Sequence, residues 1–302
     1  MVDKQQLQVS GEKLSEWRDT AISAAVSANV SSNEVDWLLH EIAGLDSLAL
    51  RIGSFKEKQI QLKLPLEELS KLWQQRLIES LPVQYIAKTT PWRHFNITVS
   101  PSVLIPRPET ESLIDLAVSA TTDNPTMQQG NWADLGTGSG IIALGLASAF
   151  SKAKIHAVDR SAEALSIAQL NADNYDLGDR IKFYQGSWWE PLNYLKGEFS
   201  GMVSNPPYIP TNTLPELQPE VYKHEPHLAL DGGEDGLKCI RHLIETSSNY
   251  LKPGGIWLVE MMAGQADRVT QMLHDNGSYS KIEIHSDLAG IKRFALAYRS
   301  RE

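Results

Sequence analysis

Trp132-Ala133-Asp134-Leu135-Gly136-Thr137-Gly138-Ser139-Gly140 decides the fold. A short apolar run that ends on an acid and passes into alternate glycines reads as a strand turning sharply into a helix. The glycines let the chain turn and let a ligand come close to the main chain. Asp159 closes the next strand-like run, 24 residues after Leu135, where a carboxylate can bind both hydroxyls of a ribose. No Lys follows the glycines as a phosphate-binding P-loop requires. A nucleoside-type cofactor is expected, with a plain tight turn as the alternative. A dinucleotide needs its third glycine spaced for a pyrophosphate. Gly-x-Gly-x-Gly behind Asp134 suits the amino-acid tail of S-adenosylmethionine (SAM) better than NAD.

Outward from that loop, strand and helix patterns alternate. Ile141 to Phe150 reads as helix, Lys154 to Asp159 as strand, Ala162 to Asn174 as helix and Ile181 to Gln185 as strand. Gly201 to Ser204 reads as strand, Leu237 to Tyr250 as helix and Gly255 to Glu260 as strand. This predicts a mostly parallel sheet with helices on both faces. Lys281 to His285 and Arg293 to Tyr298 are strand-like runs with no helix between them, which predicts a C-terminal antiparallel hairpin. The fold class expected is α/β, a seven-stranded Rossmann-like sheet with a small all-α N-terminal domain.

Residues 1–85 form that helical domain in this reading, 86–108 a hairpin and linker, and 109–302 the catalytic domain. Val35, Leu38, Leu39 and Ile42 follow helical spacing behind a capping-box pattern at Ser31-Ser32-Asn33-Glu34, with Gly44 as the stop. Leu66, Leu69, Leu72, Trp73 and Leu77 mark a further helix with Pro65 near its first turn. The helical domain carries no catalytic constellation, so partner or substrate docking is its expected role, with a plain accessory domain as the alternative. Trp92 to Val99 alternates like a hairpin, and Pro101, Pro106 and Pro108 mark an extended connector before a helix from about Glu109.

Composition bounds the function. The chain has 302 residues, 42% hydrophobic and 22% charged, which is enough to bury a core without staples. A net charge of -9 and pI near 5.4 argue against a broad phosphate-binding surface, so no direct nucleic-acid binding is expected. The lone Cys239 excludes an internal disulfide and suits a buried small hydrophobe in a helix. No signal-like or membrane-length apolar run occurs, so a cytoplasmic monomer is expected.

Asn205-Pro206-Pro207-Tyr208 follows the strand at Gly201 to Ser204 and falls on the same rim as the glycine loop. Asn205 offers a side-chain carbonyl and Pro206 a main-chain carbonyl, so both can accept from one NH2 group. The prolines end the strand and stiffen the backbone, and Tyr208 offers a flat face for an amide or a base. Gln185-Gly186-Ser187-Trp188-Trp189 ends the third strand on that rim, where either Trp could pack on adenine or in the core. His224 and His227 lack metal-ligand spacing with a further group, so no metal is expected. Glu109 and Glu111 read as acids at a helix N-terminus, which leaves Arg107 free to orient substrate or cofactor.

With these motifs the chain resembles the class I SAM-dependent methyltransferases that alkylate exocyclic or amide nitrogen. Within them it is similar nearly end to end to the bacterial release-factor glutamine methyltransferases. The likeness covers the helical N-terminal domain, Pro82-Val83-Gln84-Tyr85-Ile86, Ile105-Pro106-Arg107-Pro108-Glu109-Thr110-Glu111 and the glycine loop. It continues through Asn205 to Tyr208, Glu225-Pro226, Asp231-Gly232-Gly233-Glu234-Asp235-Gly236 and Asp287-Leu288-Ala289-Gly290. The resemblance implies that Gly136, Thr137, Gly138, Ser139, Gly140, Asp159 and Trp188 hold SAM, beside Asn205. It implies that Asn205, Pro206, Pro207 and Tyr208 bind the glutamine of a Gly-Gly-Gln loop in class I peptide chain release factors, and Arg107 is expected to join them from its own place in the sequence. The expected reaction is methylation of that glutamine's N5, with Asn205, Pro206 and Tyr208 as the catalytic set. Two departures stand out: Ser187, where the family often has an acid, and Val259-Glu260-Met261-Met262-Ala263-Gly264, where it more often has a glycine-containing turn. They bear on cofactor affinity and pocket shape. Rival readings are a glutamine methyltransferase for a ribosomal protein, an adenine-amino methyltransferase of DNA or RNA, and a SAM-binding sensor.

Overall fold

The computed structural model describes residues 7–301, which pack into two compact units. The first comprises residues 7–89 with 218–224, and the second 90–217 with 225–301. The first unit begins with β1 (Gln8–Ser10), α1 (Gly11–Ser27), α2 (Asn33–Ala43) and α3 (Ser47–Ile52). It continues through β2 (Gln59–Gln61), α4 (Leu66–Glu79) and α5 (Val83–Ala87). The apolar spacing read from α2 and α4 lies inward: Val35, Leu38, Leu39, Ile42, Leu69 and Trp73 share one core. Gly44 ends α2 in the left-handed region at φ 64°. The sequence pattern did not show the two-stranded antiparallel ribbon of β1 and β2.

The expected capping box does not form. Ser32 precedes α2 with helical φ and makes no side-chain cap. Glu34 accepts instead from Arg76 Nε and Nη2 at 2.6 and 2.9 Å. A buried guanidinium needs a carboxylate more than a helix end needs a second cap.

In the second unit, β3 (Thr89–Trp92) and β4 (Phe95–Thr98) pair as a hairpin. A 3-10 turn over Pro108–Glu111 leads into α6 (Ser112–Ala120), placing Glu109 and Glu111 in the first turn as expected. The alternating region gives β5 (Gly130–Leu135), α7 (Ile141–Ala149), β6 (Ala153–Asp159), α8 (Ala162–Asp173), β7 (Ile181–Gln185) and β8 (Phe199–Ser204). Next comes α9 (Pro219–His224), which packs in the first unit. Its Glu220 accepts from Arg76 Nη1 at 2.6 Å, and its His224 Nε2 lies 2.8 Å from the Glu79 carbonyl. The chain closes with α10 (Lys238–Ser247), β9 (Leu251–Glu260), α11 (Ala266–Asn276), β10 (Tyr279–Ser286) and β11 (Lys292–Arg299).

Seven strands form one sheet in the order β10-β11-β9-β8-β5-β6-β7. β7, β6, β5, β8 and β9 run parallel, while β11 pairs antiparallel with β9 and β10 with β11. The Rossmann-like sheet and its terminal hairpin are those expected from sequence. β8 is buried along its whole length, the signature of a parallel strand covered on both faces. Gly201 stands in register with Trp132 of β5, and a Cβ there would lie 2.4 Å from the indole. That glycine makes the room in which a fully buried Trp fits. The chain leaves β5 toward β6 on one side and later returns to place β8 on the other, so a crevice opens at the carboxyl ends of β5 and β8.

Candidate active site

The crevice is a cavity of about 1000 Å³ in the second unit. Its floor is the loop after β5. Asp134 is wholly buried beneath it, and its Oδ2 accepts from Thr137 Oγ1 at 2.5 Å and from the Ala143 amide at 2.9 Å. One carboxylate thus ties the glycine turn to the start of α7. Burial pushes the Asp134 carboxyl up to about 7, against those two hydrogen bonds. Its Oδ1 has no partner among the described residues, an orphaned acceptor directly behind the loop.

Asp159, at the end of β6, accepts from the Gly138 amide through Oδ2 and from the Ser161 amide through Oδ1, both at 2.9 Å. Its carboxylate is fixed in place and lines the cavity, as do Gly136, Thr137, Gly138 and Ser139. Gly140 does not reach the cavity. It starts α7 at φ 86°, and a Cβ there would come within 3.0 Å of Ala168 Cβ on α8. Its part is close helix packing rather than ligand contact.

Both adjacent tryptophans border the cavity, but they differ in burial. Trp189 is buried, stacks on Tyr250 with centroids 4.4 Å apart and donates to Ser247 Oγ at 3.0 Å. Trp188 lines the cavity with its ring beside Gly136. It adopts φ 50°, uncommon for a large residue.

Asn205 and Pro207 line the same cavity, whereas Pro206 and Tyr208 are not among its lining residues. Asn205 Nδ2 donates to Thr110 Oγ1 at 3.2 Å, and Thr110 donates to Glu260 Oε2 at 2.8 Å. The Tyr208 hydroxyl donates to Glu260 Oε1 at 3.3 Å. Glu260 is the last residue of β9 and 2% exposed. Burial raises its carboxyl to about 7, opposed by the Thr110 and Tyr208 hydrogen bonds and by Arg293. Burial and the neighbouring Glu260 also push the Tyr208 phenol up. The Pro206 carbonyl accepts no hydrogen bond from the described residues, but Pro206 is buried and is not among the residues that line the cavity.

The backbone of Tyr208 is gripped from both sides. Ile209 N donates to Leu230 O at 3.0 Å, and Gly232 N donates to Ile209 O at 2.8 Å. Gln265 Nε2 donates to Tyr208 O at 3.0 Å. A Cβ at Gly236 would lie 2.4 Å from Tyr208 O, which accounts for a glycine there. The segment from Val259 to Gly264 therefore supports the site: Glu260 meets Tyr208, and Met262 N donates to the Gln265 side chain at 2.9 Å.

Arg107 lines the cavity but is not free. Its Nη2 donates to Glu225 Oε1 at 2.5 Å, while Ile105 N donates to Glu225 Oε2 at 3.2 Å. Glu225 is 4% exposed, so a buried carboxylate anchors the proline-rich segment and leaves only part of the guanidinium fork for a ligand. Thr110 and Glu260 are the residues that sequence reasoning missed as parts of the site. The acid ending β9, matching Asp134 and Asp159 at other strand ends, was the available signal.

A mostly parallel sheet in this order, with a glycine loop after its first strand and an Asn-Pro-Pro-Tyr turn after its fourth, defines a Rossmann-like methyltransferase. The Methyltransferase small domain matches residues 114–217. Over 290 residues the chain is 51% identical to the release factor glutamine methyltransferase of Synechocystis sp., covering 96% of this chain and 97% of that one. It is 48% identical to the Thermosynechococcus vestitus protein of the same name, covering 96% and 99%. Its likeness to the Gloeobacter violaceus protein of that name is 40%, covering 93% and 96%. The chain belongs to the release factor glutamine methyltransferase family. Among solved structures, the hMettl16 catalytic domain is similar in fold, with a TM-score of 0.53 at 15% identity, covering 68% of this chain and 75% of that one. No described helix is long and apolar enough to cross a membrane.

Proposed function

We propose that the protein transfers a methyl group from SAM to the side-chain amide nitrogen of the glutamine in the Gly-Gly-Gln motif of class I peptide chain release factors. The family's name supports the substrate. The observation that carries the chemistry is the Asn205 amide: its NH2 is held by Thr110, so its carbonyl oxygen is left for a ligand in the cavity.

The residues of the cavity fit SAM. Gly136, Thr137, Gly138 and Ser139 offer main chain without obstruction, and a Cβ on Gly138 would meet nothing within 4 Å. The orphaned Asp134 Oδ1 behind them suits a cationic amino group at the loop. Asp159 is placed for ribose hydroxyls, and Trp188 offers a ring face to adenine. When bound, SAM supplies an electrophilic methyl group on a sulfonium.

The protein's own residues must activate a poor nucleophile, since an amide nitrogen delocalises its lone pair into the carbonyl. Asn205 Oδ1 and the Pro206 carbonyl accept the two amide hydrogens and fix the direction of the nitrogen. The same two oxygens stabilise the positive charge that grows on nitrogen as it is alkylated. The nitrogen loses its proton after it has gained the methyl group, when it is acidic. Tyr208 does not line the cavity; in this reading it acts through Glu260, to which its hydroxyl is tied.

The test is incubation with methyl-labelled SAM and, separately, a release factor, a ribosomal protein and DNA. Label on the release-factor glutamine alone is expected, and label on either other substrate instead would overturn the reading. Asn205→Ala is expected to lower turnover about 100-fold or more, with SAM affinity unchanged by calorimetry.

A further inference from the structure

We infer that Thr110 and Glu260 are positioning residues that fix which end of the Asn205 side-chain amide faces the substrate. The inference deepens the proposed function and rests on an amide NH2 being the group bound. The two ends of an Asn amide have nearly the same shape, so packing alone does not choose between them. Hydrogen-bond polarity does. Thr110 has a single hydroxyl hydrogen, and its Oγ1 lies 2.8 Å from Glu260 Oε2 and 3.2 Å from Asn205 Nδ2. An ionised carboxylate only accepts, so the hydrogen points to Glu260 and the lone pairs of Thr110 face Asn205. Only the NH2 end of Asn205 can meet them, and Oδ1 is then turned to the substrate. With the amide reversed, an NH2 would face the substrate's NH2 and no hydrogen bond could form.

The three residues come from separate elements: the 3-10 turn before α6, the end of β9 and the segment after β8. Thr110 is 1% exposed and stands at the cavity wall, so its two hydrogen bonds link the wall to the buried Glu260. Glu260 is held on its other oxygen by Tyr208 at 3.3 Å. Arg293 of β11 acts on it with opposite charge and Glu109 with like charge. Arg293 is itself held by Asp287, Nε to Oδ2 at 2.6 Å. Tyr208 therefore shares the carboxylate that orients Asn205, and one buried acid organises both groups.

The polarity depends on the charge of Glu260. Once protonated, Glu260 can donate to Thr110, which then turns its hydrogen to Asn205 and selects the carbonyl end. The amide is reversed and the site loses its acceptor. Since burial raises this carboxyl to about 7, turnover should fall as the pH drops through that value.

Three variants test the inference in the full-length protein. Thr110→Val keeps the shape and removes the hydroxyl, Thr110→Ser keeps the hydroxyl, and Glu260→Gln removes the titration. With a release factor as substrate, Thr110→Val should lower kcat about 10-fold or more, with KM changed by less than about threefold and SAM affinity unchanged by calorimetry. Thr110→Ser should stay within about threefold of wild type. The acid limb of the kcat profile should be present in wild type and absent in Glu260→Gln. In the free protein, the Asn205 side-chain amide resonance should titrate with a midpoint near 7, and the titration should vanish in Glu260→Gln. Thr110→Val within twofold of wild type, or Thr110→Ser as impaired as Thr110→Val, would overturn it. If wild type fails to label a release factor, the proposed substrate falls. The amide titration still decides whether the relay exists.

Discussion

Replacing Gly232 by Ala should displace Tyr208 without touching the cofactor side of the cavity. Gly232 is not in the left-handed region, so alanine meets no conformational penalty there and the effect is one of space. A Cβ would lie 2.7 Å from Gly236 O and 2.8 Å from both Cα and C of Tyr208. All three atoms are main chain, and Gly232 is itself locked, donating to Ile209 O at 2.8 Å and accepting from Lys238 N at 2.9 Å. Ordinary contact begins near ~3.5 Å, so the two backbones must part by about 0.7 Å. Overpacking of this kind costs about 1–3 kcal/mol, or roughly 2–10 °C in Tm for a unit of this size. Misplacement on that scale at Tyr208 and the neighbouring Asn205 should reduce kcat about 10- to 100-fold. SAM affinity should hold, because Gly136 to Ser139 and Asp159 stand on β5 and β6. Labelled methyl transfer, calorimetry and a melting curve measure the three quantities. A variant with wild-type kcat and Tm would refute the close approach, and one that lost SAM affinity alone would place the segment at the wrong end of the cavity.

Asp159→Ala should weaken SAM binding about 10-fold or more, and calorimetry giving wild-type affinity would remove its ribose role. Arg76, 6% exposed, bridges Glu34 and Glu220. Arg76→Ala leaves a partly buried acid pair uncompensated and should destabilise the first unit by about 3–5 kcal/mol, read by denaturant unfolding; a loss under ~1 kcal/mol would mean the pair behaves as a surface one. Glu260 has a folded-state pKa of about 7 against an ordinary value of 4.5. A raised pKa contributes stability that is complete below the unfolded value and is lost as pH rises through the folded one. Between about pH 4.5 and 7 wild type should therefore lose about 3 kcal/mol relative to Glu260→Gln, measured by denaturant midpoints across that range, and parallel pH curves would contradict it.

The glycine loop, the strand alternation and the Asn-Pro-Pro-Tyr turn were legible because each is a short-range pattern whose chemistry follows from adjacent residues. The terminal hairpin was legible for the same reason. α11 was not read, although Ala266, Val269 and Leu273 carry a helical stripe. Its mean polarity hid three buried positions in a charged segment. The capping box at Ser31 to Glu34 failed for a different reason: Glu34 found a partner 42 residues away in Arg76.

Sequence by itself determined the kind of sheet and the places of the glycine loop and the Asn-Pro-Pro-Tyr turn, since turn geometry and hydrophobic period are local properties. Tertiary structure alone decided which Trp is fully buried, that Arg107 is paired with Glu225 and Gly140 packs against Ala168, and which partner holds the Asn205 NH2. That last choice depends on a hydrogen bond between Thr110 and Glu260, 150 residues apart. Bond polarity across such a separation exists only once side-chain atoms from three distant segments have been brought to hydrogen-bonding distance of one another.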